Sequence, residues 1–260
     1  MWARLSVPTL SPLISAVSAR FSPLGVVLHD RSATACDLLD RVFSSQAEFD
    51  PATETREFTL LGSDYGAAVF GAALSRLVHD EAPNVRLTFR QSTPAVVENT
   101  AAELTSVDGL LMPHAIIDGF PSVDLLTDRW VCLVADDHPE IGTELTLDDL
   151  ARLPWAVYQR PYDAPAARQL SMIGVSPRVE VSVQTFQLLP YLVEGTRRVA
   201  MIQERLARRV AGPAAVRILP CPFEAVPVRE AMWWHPVHTH DPAHIWLRET
   251  AARAARRVRG

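Results

Sequence analysis

Three short polar segments of this chain each follow a strand-like apolar run and begin a helix-like run. They are Ser63-Asp64-Tyr65, Ser92-Thr93 and Thr185-Phe186. Helix N-termini offer free backbone N–H groups and a partial positive charge, which suit a carboxylate or a phenolate. The hydroxyls of Ser63, Thr93 and Thr185 add hydrogen-bonding capacity, although plain N-capping explains each of them equally well. The pattern predicts reversible binding of a small anion. The negative charge of Asp64 opposes this, because it would repel an anionic ligand.

Further candidate binding residues lie at the ends of other strand-like runs or are aromatic. Pro113-His114 follows the run ending at Met112, Gln159 follows the run ending at Tyr158, and Ile202 ends a run of its own. Ligands of open α/β sheets bind outside the carboxyl ends of the strands, so these residues are expected at one crevice. The candidate apolar walls are Phe120, Phe186 and Trp233, although core packing is the commoner role for such side chains.

No set of residues in the sequence indicates catalysis, a metal site or a cofactor. There is no G-x-S-x-G elbow, no HExxH pair and no glycine-rich phosphate loop. Four histidines lie close together near the C-terminus: His235, His238, His240 and His244. Their spacing fits no zinc pattern, so exposed turn histidines are expected. A binding protein without enzyme activity, metal or cofactor is predicted.

Strand-like and helix-like runs alternate along most of the chain. Strands are expected at 58–61, 85–89, 109–112, 129–134, 155–158, 179–183 and 198–202. Helices are expected at 65–79, after Thr93, at 147–153, before Gly174, at 185–195 and at 204–211. This alternation predicts an α/β fold with a mostly parallel sheet. Upstream, Ser22 and Pro23 suit the start of a long amphipathic helix over 22–48, which irregular residues 1–21 precede.

Composition narrows the class of protein. The chain has 260 residues, 48% of them hydrophobic and 21% charged, with a net charge of −5. These values predict a globular protein without a large nucleic-acid surface. No apolar run approaches the roughly 18 residues that a membrane span needs, and no signal peptide is evident, so a cytoplasmic protein is expected. Cys36, Cys132 and Cys221 form no CxxC pair and are expected to be free buried thiols.

Four stretches in order resemble the effector-binding domain of LysR-type transcriptional regulators, in particular the NodD/NahR-like branch. They are Phe58–Gly66, Asp128–Pro139, Val193–Ala207 and Met232–Glu249. One departure is Gln203, where the family usually has proline. The resemblance implies a two-lobed periplasmic-binding-protein-like (type 2) fold with two crossover strands, preceded by a linker helix. Lobe I is then expected over 58–131 and 235–260, lobe II over 132–234, and the crossovers near 130–134 and 229–234.

The resemblance also implies a function. A ligand-sensing regulator is expected to bind a small aromatic or carboxylate inducer between the lobes, with His235 near the hinge tuning binding through its protonation. A homodimer or homotetramer is expected through 66–80 and 85–90, where Gly71, Ala72 and Ala73 leave room for a partner. DNA binding is assigned to a helix-turn-helix that the sequence does not show upstream of residue 22. The alternatives are a solute-binding protein of a transport system and an enzyme on the same fold.

Overall fold

The computed structural model describes residues 28, 31, 32, 36, 49–159 and 165–259. The expected irregular remnant 1–21 lies outside this part of the chain, as does most of the helix expected over 22–48. The described residues of that helix, at positions 28, 31, 32 and 36, are helical and exposed. The chain divides into two compact units, Met1–Gln46 and Ala47–Gly260, and the second contains the strands described below.

Strands and helices alternate through the second unit. The strands are β1 Arg56–Gly62, β2 Val85–Gln91, β3 Gly109–Pro113, β4 Ser122–Asp128, β5 Trp130–Ala135, β6 Pro154–Tyr158, β7 Arg178–Val183, β8 Ala200–Gln203, β9 Val216–Pro220 and β10 Val228–Trp233. The helices are α1 Asp64–Gly66, α2 Ala72–Glu81, α3 Pro94–Glu98, α4 Thr100–Ser106, α5 Leu147–Arg152, α6 Pro165–Met172, α7 Leu189–Val193, α8 Glu204–Val210 and α9 Pro242–Arg259. A π-helical turn at Ala67–Gly71 joins α1 to α2, and 3-10 turns lie at Phe186–Leu188 and Pro236–His238.

The first sheet has the strand order β2-β1-β3-β10-β4. β1 pairs in parallel with β2 and β3, whereas β10 runs antiparallel to β3 and β4. One face is covered by α2 and the C-terminal helix α9. On the other face, Val96 of α3 and Leu104 of α4 pack against Leu61, Leu110 and Trp233.

The second sheet is built from two parts, β8-β5-β9 and β6-β7. The bridge between Trp155 of β6 and Val199 beside β8 joins them. Backbone hydrogen bonds from Val199 to Pro154 and from Ala156 to Val199 strengthen this joint. The chain therefore forms two sheets with their own helices, and it passes from one sheet to the other twice. This confirms the periplasmic-binding-protein-like architecture implied by the resemblance.

The strand pairing corrects the expected lobe boundaries. β10 was expected to cross between the lobes and to end lobe II, but it lies wholly in the first sheet between β3 and β4. Trp130 and Val131, expected in lobe I, pair with β8 in the second sheet. The chain instead crosses between the sheets at Arg129 and over 221–227. An apolar strand such as β10 carries no sequence signal for the sheet it joins, because central strands of either sheet are buried on both faces.

The first helical region supports one expectation and corrects another. Ser63 caps α1, and its hydroxyl accepts a 3.4 Å hydrogen bond from the backbone N–H of Gly66. A Cβ added at Gly71 would lie 2.8 Å from the ring of Phe89, so this glycine packs within the chain. Ala73 is also buried. Gly71 and Ala73 therefore serve internal packing, which corrects the expectation that they face a partner subunit.

Candidate ligand-binding site

Residues from the two sheets meet where β1 and β2 end. The Asp64 carboxylate, at the start of α1, accepts a 2.9 Å hydrogen bond from the backbone N–H of Gln187 in the second half of the chain. The side-chain amide of Gln91, the last residue of β2, donates to the carbonyl of Gln184 at 3.1 Å and approaches the hydroxyl of Tyr158 at 3.5 Å. These contacts place polar side chains of the first sheet against turns of the second.

A cavity of about 180 Å³ lies at this junction. It is lined by Gly62, Ser63, Asp64, Ala67, Phe89, Arg90, Gln91, Leu111 and Gln187. Its walls thus combine an apolar side with a carboxylate, a guanidinium, amides and a hydroxyl, and a few polar groups on an apolar wall are usual in a small-molecule site. Gly62 forms part of the wall where β1 approaches Leu111 of β3. A Cβ added at Gly62 would lie 2.9 Å from the Cβ of Leu111, so only glycine fits this close approach.

Asp64 is the most distinctive group in the cavity wall. Its residue surface is only 9% exposed, and its Oδ2 atom is held by Gln187. Its Oδ1 atom is buried and accepts no hydrogen bond from the residues that the structure describes. A buried carboxylate oxygen without a donor is costly, so a ligand that donates a hydrogen bond there is favoured.

An aromatic pair stands beside the junction on the second sheet. Phe186 is buried and stacks on Tyr158, with ring centroids 4.0 Å apart and an interplanar angle of 17°. The ring of Trp130 is tilted against that of Phe186, with centroids 6.4 Å apart. Phe186 was expected as a pocket wall, but its ring is packed among these aromatics and the cavity described above does not include it.

Tyr65 points away from the cavity. Its side chain is buried, and its hydroxyl donates a 3.1 Å hydrogen bond to Oδ2 of Asp128, just before the first crossing. Asp128 also accepts from the backbone N–H groups of Arg129 and Arg205. Burial raises the pKa of Tyr65, and the Asp128 charge raises it further. Tyr65 was expected to contact the ligand, but its hydroxyl instead binds Asp128, which in turn binds the backbone at Arg129 in the crossing and at Arg205 in α8.

Several other expected site residues do not line the cavity. Ser92, Thr93, Thr185 and Gln159 lie at strand or helix ends nearby, and Gln159 is exposed. Ile202 is fully buried and pairs with Val131 inside the second sheet. Its position within β8, rather than after it, removes it from the crevice.

A separate cluster holds most of the remaining expected residues. His114, which follows Pro113 at the end of β3, contacts the Asp124 carboxylate at 2.7 Å and meets the Trp233 ring edge-on at 4.9 Å. The indole N–H of Trp233 donates to the carbonyl of Met112 at 2.8 Å. Phe120 and His235 lie 6.4 Å apart by ring centroids. Trp233 and Phe120 pack on the face of the first sheet that α3 and α4 cover, and neither they nor His114 and His235 line the cavity.

Two of the four C-terminal histidines are buried, which corrects the expectation that they are exposed. The rings of His238 and His244 stack with centroids 5.0 Å apart. Nε2 of His244 contacts the carbonyl of Asp108 at 2.6 Å, and its Nδ1 lies 2.9 Å from a guanidinium nitrogen of Arg248. Burial lowers the pKa of His244 to about 3, so its ring is neutral. These contacts fix helix α9 to the segment before β3. Within the part of the chain that the structure describes, no three potential ligands gather as a metal site.

A second, more open cavity of about 450 Å³ lies at the crossing and α8. Arg129 and Arg208 both line it and both pair with Glu204. The hydrogen bond from Arg129 lowers the pKa of Glu204 to about 2. Because Glu204 already pairs with both arginines, this surface offers less to an external anion than their charges suggest.

Sequence reasoning missed the residues that join the two sheets. Gln91, Tyr158 and Gln187 were not expected at the site, although each lies directly beside a residue that was. No local pattern marked them, because their roles depend on contacts between segments far apart in the sequence, such as Gln91 with Gln184 and Asp64 with Gln187.

Comparisons with known proteins agree with this architecture. The chain is 28% identical over 204 residues to Nodulation protein D 2 of Rhizobium tropici, covering 77% of this chain and 64% of that protein. It is 27% identical over 217 residues to Nodulation protein D 3 of Mesorhizobium japonicum, covering 81% of this chain and 70% of that protein. The chain therefore spans about two thirds of the length of these relatives.

Solved structures share the fold. A probable transcriptional regulator from Pseudomonas aeruginosa superposes with a TM-score of 0.77 at 23% identity, covering 88% of this chain and 77% of that one. The regulatory domain of MexT, a transcriptional activator in the same species, gives 0.64 at 23% identity and covers 78% of this chain and all of that one (100%). Among the described residues, no helix is both long and apolar enough to span a bilayer. The LysR substrate binding domain profile matches residues 52–256, and the chain belongs to this family.

Proposed function

We propose that this chain is the effector-binding portion of a LysR-family transcriptional regulator, and that its effector is a small uncharged molecule bearing a hydroxyl group. The observation that supports the proposal is the cavity at the junction of the two sheets. A buried oxygen of Asp64 has no hydrogen-bond donor there among the described residues. The named relatives and neighbours, which are nodulation proteins and transcriptional regulators, support the regulatory role.

The charge of Asp64 decides between the ligand classes expected from the sequence. A ligand carboxylate would meet this buried carboxylate in a poorly hydrated space, where like charges repel strongly. A hydroxyl would instead donate to the free Oδ1 atom. Arg90 also lines the cavity, but it is exposed to solvent, so its attraction for an anion is screened relative to the repulsion from the buried Asp64 carboxylate. The favoured ligand is therefore a neutral alcohol or phenol.

The size of the cavity sets the part of the ligand that it holds. A cavity of about 150 Å³ admits a single benzene ring, and this one measures about 180 Å³. The apolar wall of Ala67, Phe89 and Leu111 suits such a ring. A larger effector would extend past Arg90 and Gln91 and would require the two sheets to move apart.

Signalling follows from the position of the cavity between the two sheets. A ligand that contacts Ser63 or Asp64 and Gln187 together binds one arrangement of the sheets better than others, and this difference in affinity shifts the equilibrium. In the whole regulator, a separate helix-turn-helix would contact DNA in the cytoplasm. Neither catalysis nor a cofactor is part of this proposal.

Self-association as a homodimer or homotetramer is the second part of the proposal. β2 is an edge strand of the first sheet, and most of its side chains are partly or fully exposed. An exposed edge strand beside a helix is a surface on which a second copy can pack. Light scattering at micromolar concentration is expected to give at least the dimer mass, and a monomer would contradict this part.

The ligand proposal is tested with pairs of compounds that share one skeleton, such as benzyl alcohol with benzoate and phenol with benzoate. The alcohol or phenol is expected to raise the melting temperature, because saturation at a hundred times Kd stabilises by about 2.7 kcal/mol. The matching acid is expected to have no effect. A shift with the acids alone would reject the ligand chemistry, and no shift across a broad library would reject ligand sensing.

A further inference from the structure

Two cysteines that are distant in sequence meet in the second sheet. The Sγ atoms of Cys132 and Cys221 lie 3.7 Å apart. Cys132 is fully buried in β5, whereas Cys221, directly after β9, is partly exposed. In the register of these antiparallel strands, Cys132 stands opposite Leu219, so Cys221 is its diagonal neighbour. A disulfide bond has a sulfur–sulfur distance of about 2.0 Å, so the two sulfur atoms must move closer together from their separation of 3.7 Å to form one.

The pair occupies a particular place in the fold. Cys132 lies shortly after the first crossing at Arg129, and Cys221 is the first residue of the second crossing, 221–227. A covalent bond between them would fix the start of the second crossing to β5, the strand that directly follows the first crossing. The expectation of free buried thiols does not account for this placement, and it is wrong for Cys36, which is exposed.

We propose that Cys132 and Cys221 form a peroxide-sensitive dithiol site that closes to a disulfide. The Cys221 thiolate attacks one oxygen of hydrogen peroxide, the O–O bond breaks, and sulfenic acid forms at Cys221 with release of hydroxide. The sulfur of Cys132 then attacks the Cys221 sulfur, gives up its proton and displaces the sulfenic oxygen, and the displaced oxygen leaves as water. Two thiols lose two electrons in total, and one peroxide is reduced to two waters.

The hydrogen bond between the thiols assigns the two roles. Donation from the Cys132 thiol lowers the pKa of Cys221, although burial opposes the effect. The same hydrogen bond, together with burial, raises the pKa of Cys132. Cys221 is therefore the member of the pair that ionises more readily, and it is also the partly exposed member that peroxide reaches first. Cys132 holds the proton and acts as the resolving thiol.

The test uses the full chain with Cys36→Ser, which removes the third thiol and leaves the pair. Treatment with one equivalent of hydrogen peroxide is expected to make the intact protein about 2 Da lighter and to abolish both titratable thiols in denaturant. Dithiothreitol is expected to restore both. The oxidised protein is also expected to exchange the amides of 221–227 more slowly, because the bond fixes the start of that segment.

Matched variants separate a dithiol site from ordinary thiol oxidation. In the same background, Cys132→Ser is expected to stop at a sulfenic acid on Cys221 that dimedone traps, whereas Cys221→Ser leaves Cys132 unmodified because it is buried. Cys132→Ala repeats the first measurement if serine disturbs the core, and circular dichroism checks folding. A protein that gains oxygen mass without losing both thiols, or that links only between chains, would overturn the proposal.

Discussion

The Oδ2 atom of Asp64 accepts a 2.9 Å hydrogen bond from the backbone N–H of Gln187. A side chain beside the first sheet thus provides the acceptor for a backbone N–H in a turn beside the second. The two residues are separated by 123 positions in the sequence. The remaining oxygen of the same carboxylate is buried without a donor among the described residues. One side chain thus holds the two sheets together and leaves one acceptor for a ligand in the cavity.

Two substitutions at Asp64 separate its two roles. Asp64→Ala removes the acceptor, and faster amide exchange at Gln187 is expected, by about fivefold for a hydrogen bond worth about 1 kcal/mol. Asp64→Asn keeps an acceptor but removes the charge, so the rate of amide exchange at Gln187 is expected to stay close to that of the wild type. The asparagine variant is also expected to bind benzoate as well as benzyl alcohol in calorimetry.

Ser63→Ala is the control for these variants, because Ser63 lines the same cavity but its hydroxyl accepts from Gly66 rather than from Gln187. It is expected to leave exchange at Gln187 unchanged. If Asp64→Asn continued to reject benzoate, charge would not be the basis of ligand selection.

The hydroxyl of Tyr65 provides a test of the contacts around the first crossing. Tyr65→Phe leaves Asp128 with its two backbone donors but without the 3.1 Å hydrogen bond from the ring hydroxyl. A loss of about 1–2 kcal/mol in the free energy of unfolding is expected, since the bond is buried. Urea denaturation measures it. Tyr191→Phe, at an exposed tyrosine, is the matched control and is expected to change stability little. Equal effects of the two variants would show that the Tyr65 hydroxyl has no structural role.

The sequence was sufficient to predict the α/β class and several local features. Ser63 caps its helix as expected, and the buried strands β3 and β5 are recognisable from apolar runs. β4 and β9 were missed because their apolar residues do not alternate: Leu125 and Leu126 are buried side by side, and Arg217 interrupts β9. Local pattern therefore identifies regular elements and misses irregular ones.

The candidate site was only partly predictable for a different reason. Ser63 and Asp64 could be found because they lie at a helix start that follows a strand. Gln91 and Gln187 could not, because their importance depends on which turns of the second sheet pack against the first. The burial of His238 and His244 was hidden for the same reason, since their partner carbonyls at Leu104 and Asp108 lie 134 and 136 positions away. Contacts over such separations leave no pattern in a single sequence.

Glu230 in β10 is expected to make the protein less stable as pH rises. It is fully buried, both carboxylate oxygens lack a partner among the described residues, and burial raises its pKa to about 8. In the unfolded chain the group ionises near its ordinary value of about 4.3. The stability that the protonated form contributes is therefore complete below that value and is lost as pH rises towards 8. The loss is on the order of 3 kcal/mol between pH 5 and pH 8.

Glu230→Gln replaces the neutral acid with a neutral amide of the same size, so it is expected to match the wild type near pH 5 and to exceed its stability at pH 8. Urea denaturation across this range measures the difference. Glu249→Gln, at an exposed carboxylate of α9, is the control and is expected to leave the slope unchanged. Parallel pH profiles for wild type and Glu230→Gln would mean that Glu230 is not protonated in the folded protein.

His244 is expected to produce the opposite slope. Its folded pKa is about 3 because the ring is buried, whereas the unfolded ring titrates near 6.5. The unfolded chain therefore takes up a proton that the folded protein refuses, and stability falls as pH decreases from 6.5 towards 3. Between pH 6.5 and pH 5 the loss is about 2 kcal/mol.

Glu230 opposes this loss over the same interval, so the effect of His244 is best measured in the Glu230→Gln background. There, His244→Gln is expected to lower stability at pH 7, because the contacts with Asp108 and Arg248 are disturbed. It is also expected to abolish the fall between pH 6.5 and pH 5, since glutamine does not titrate. His240→Gln, at an exposed histidine, should do neither. A fall that persists in His244→Gln would assign the acid sensitivity to another group.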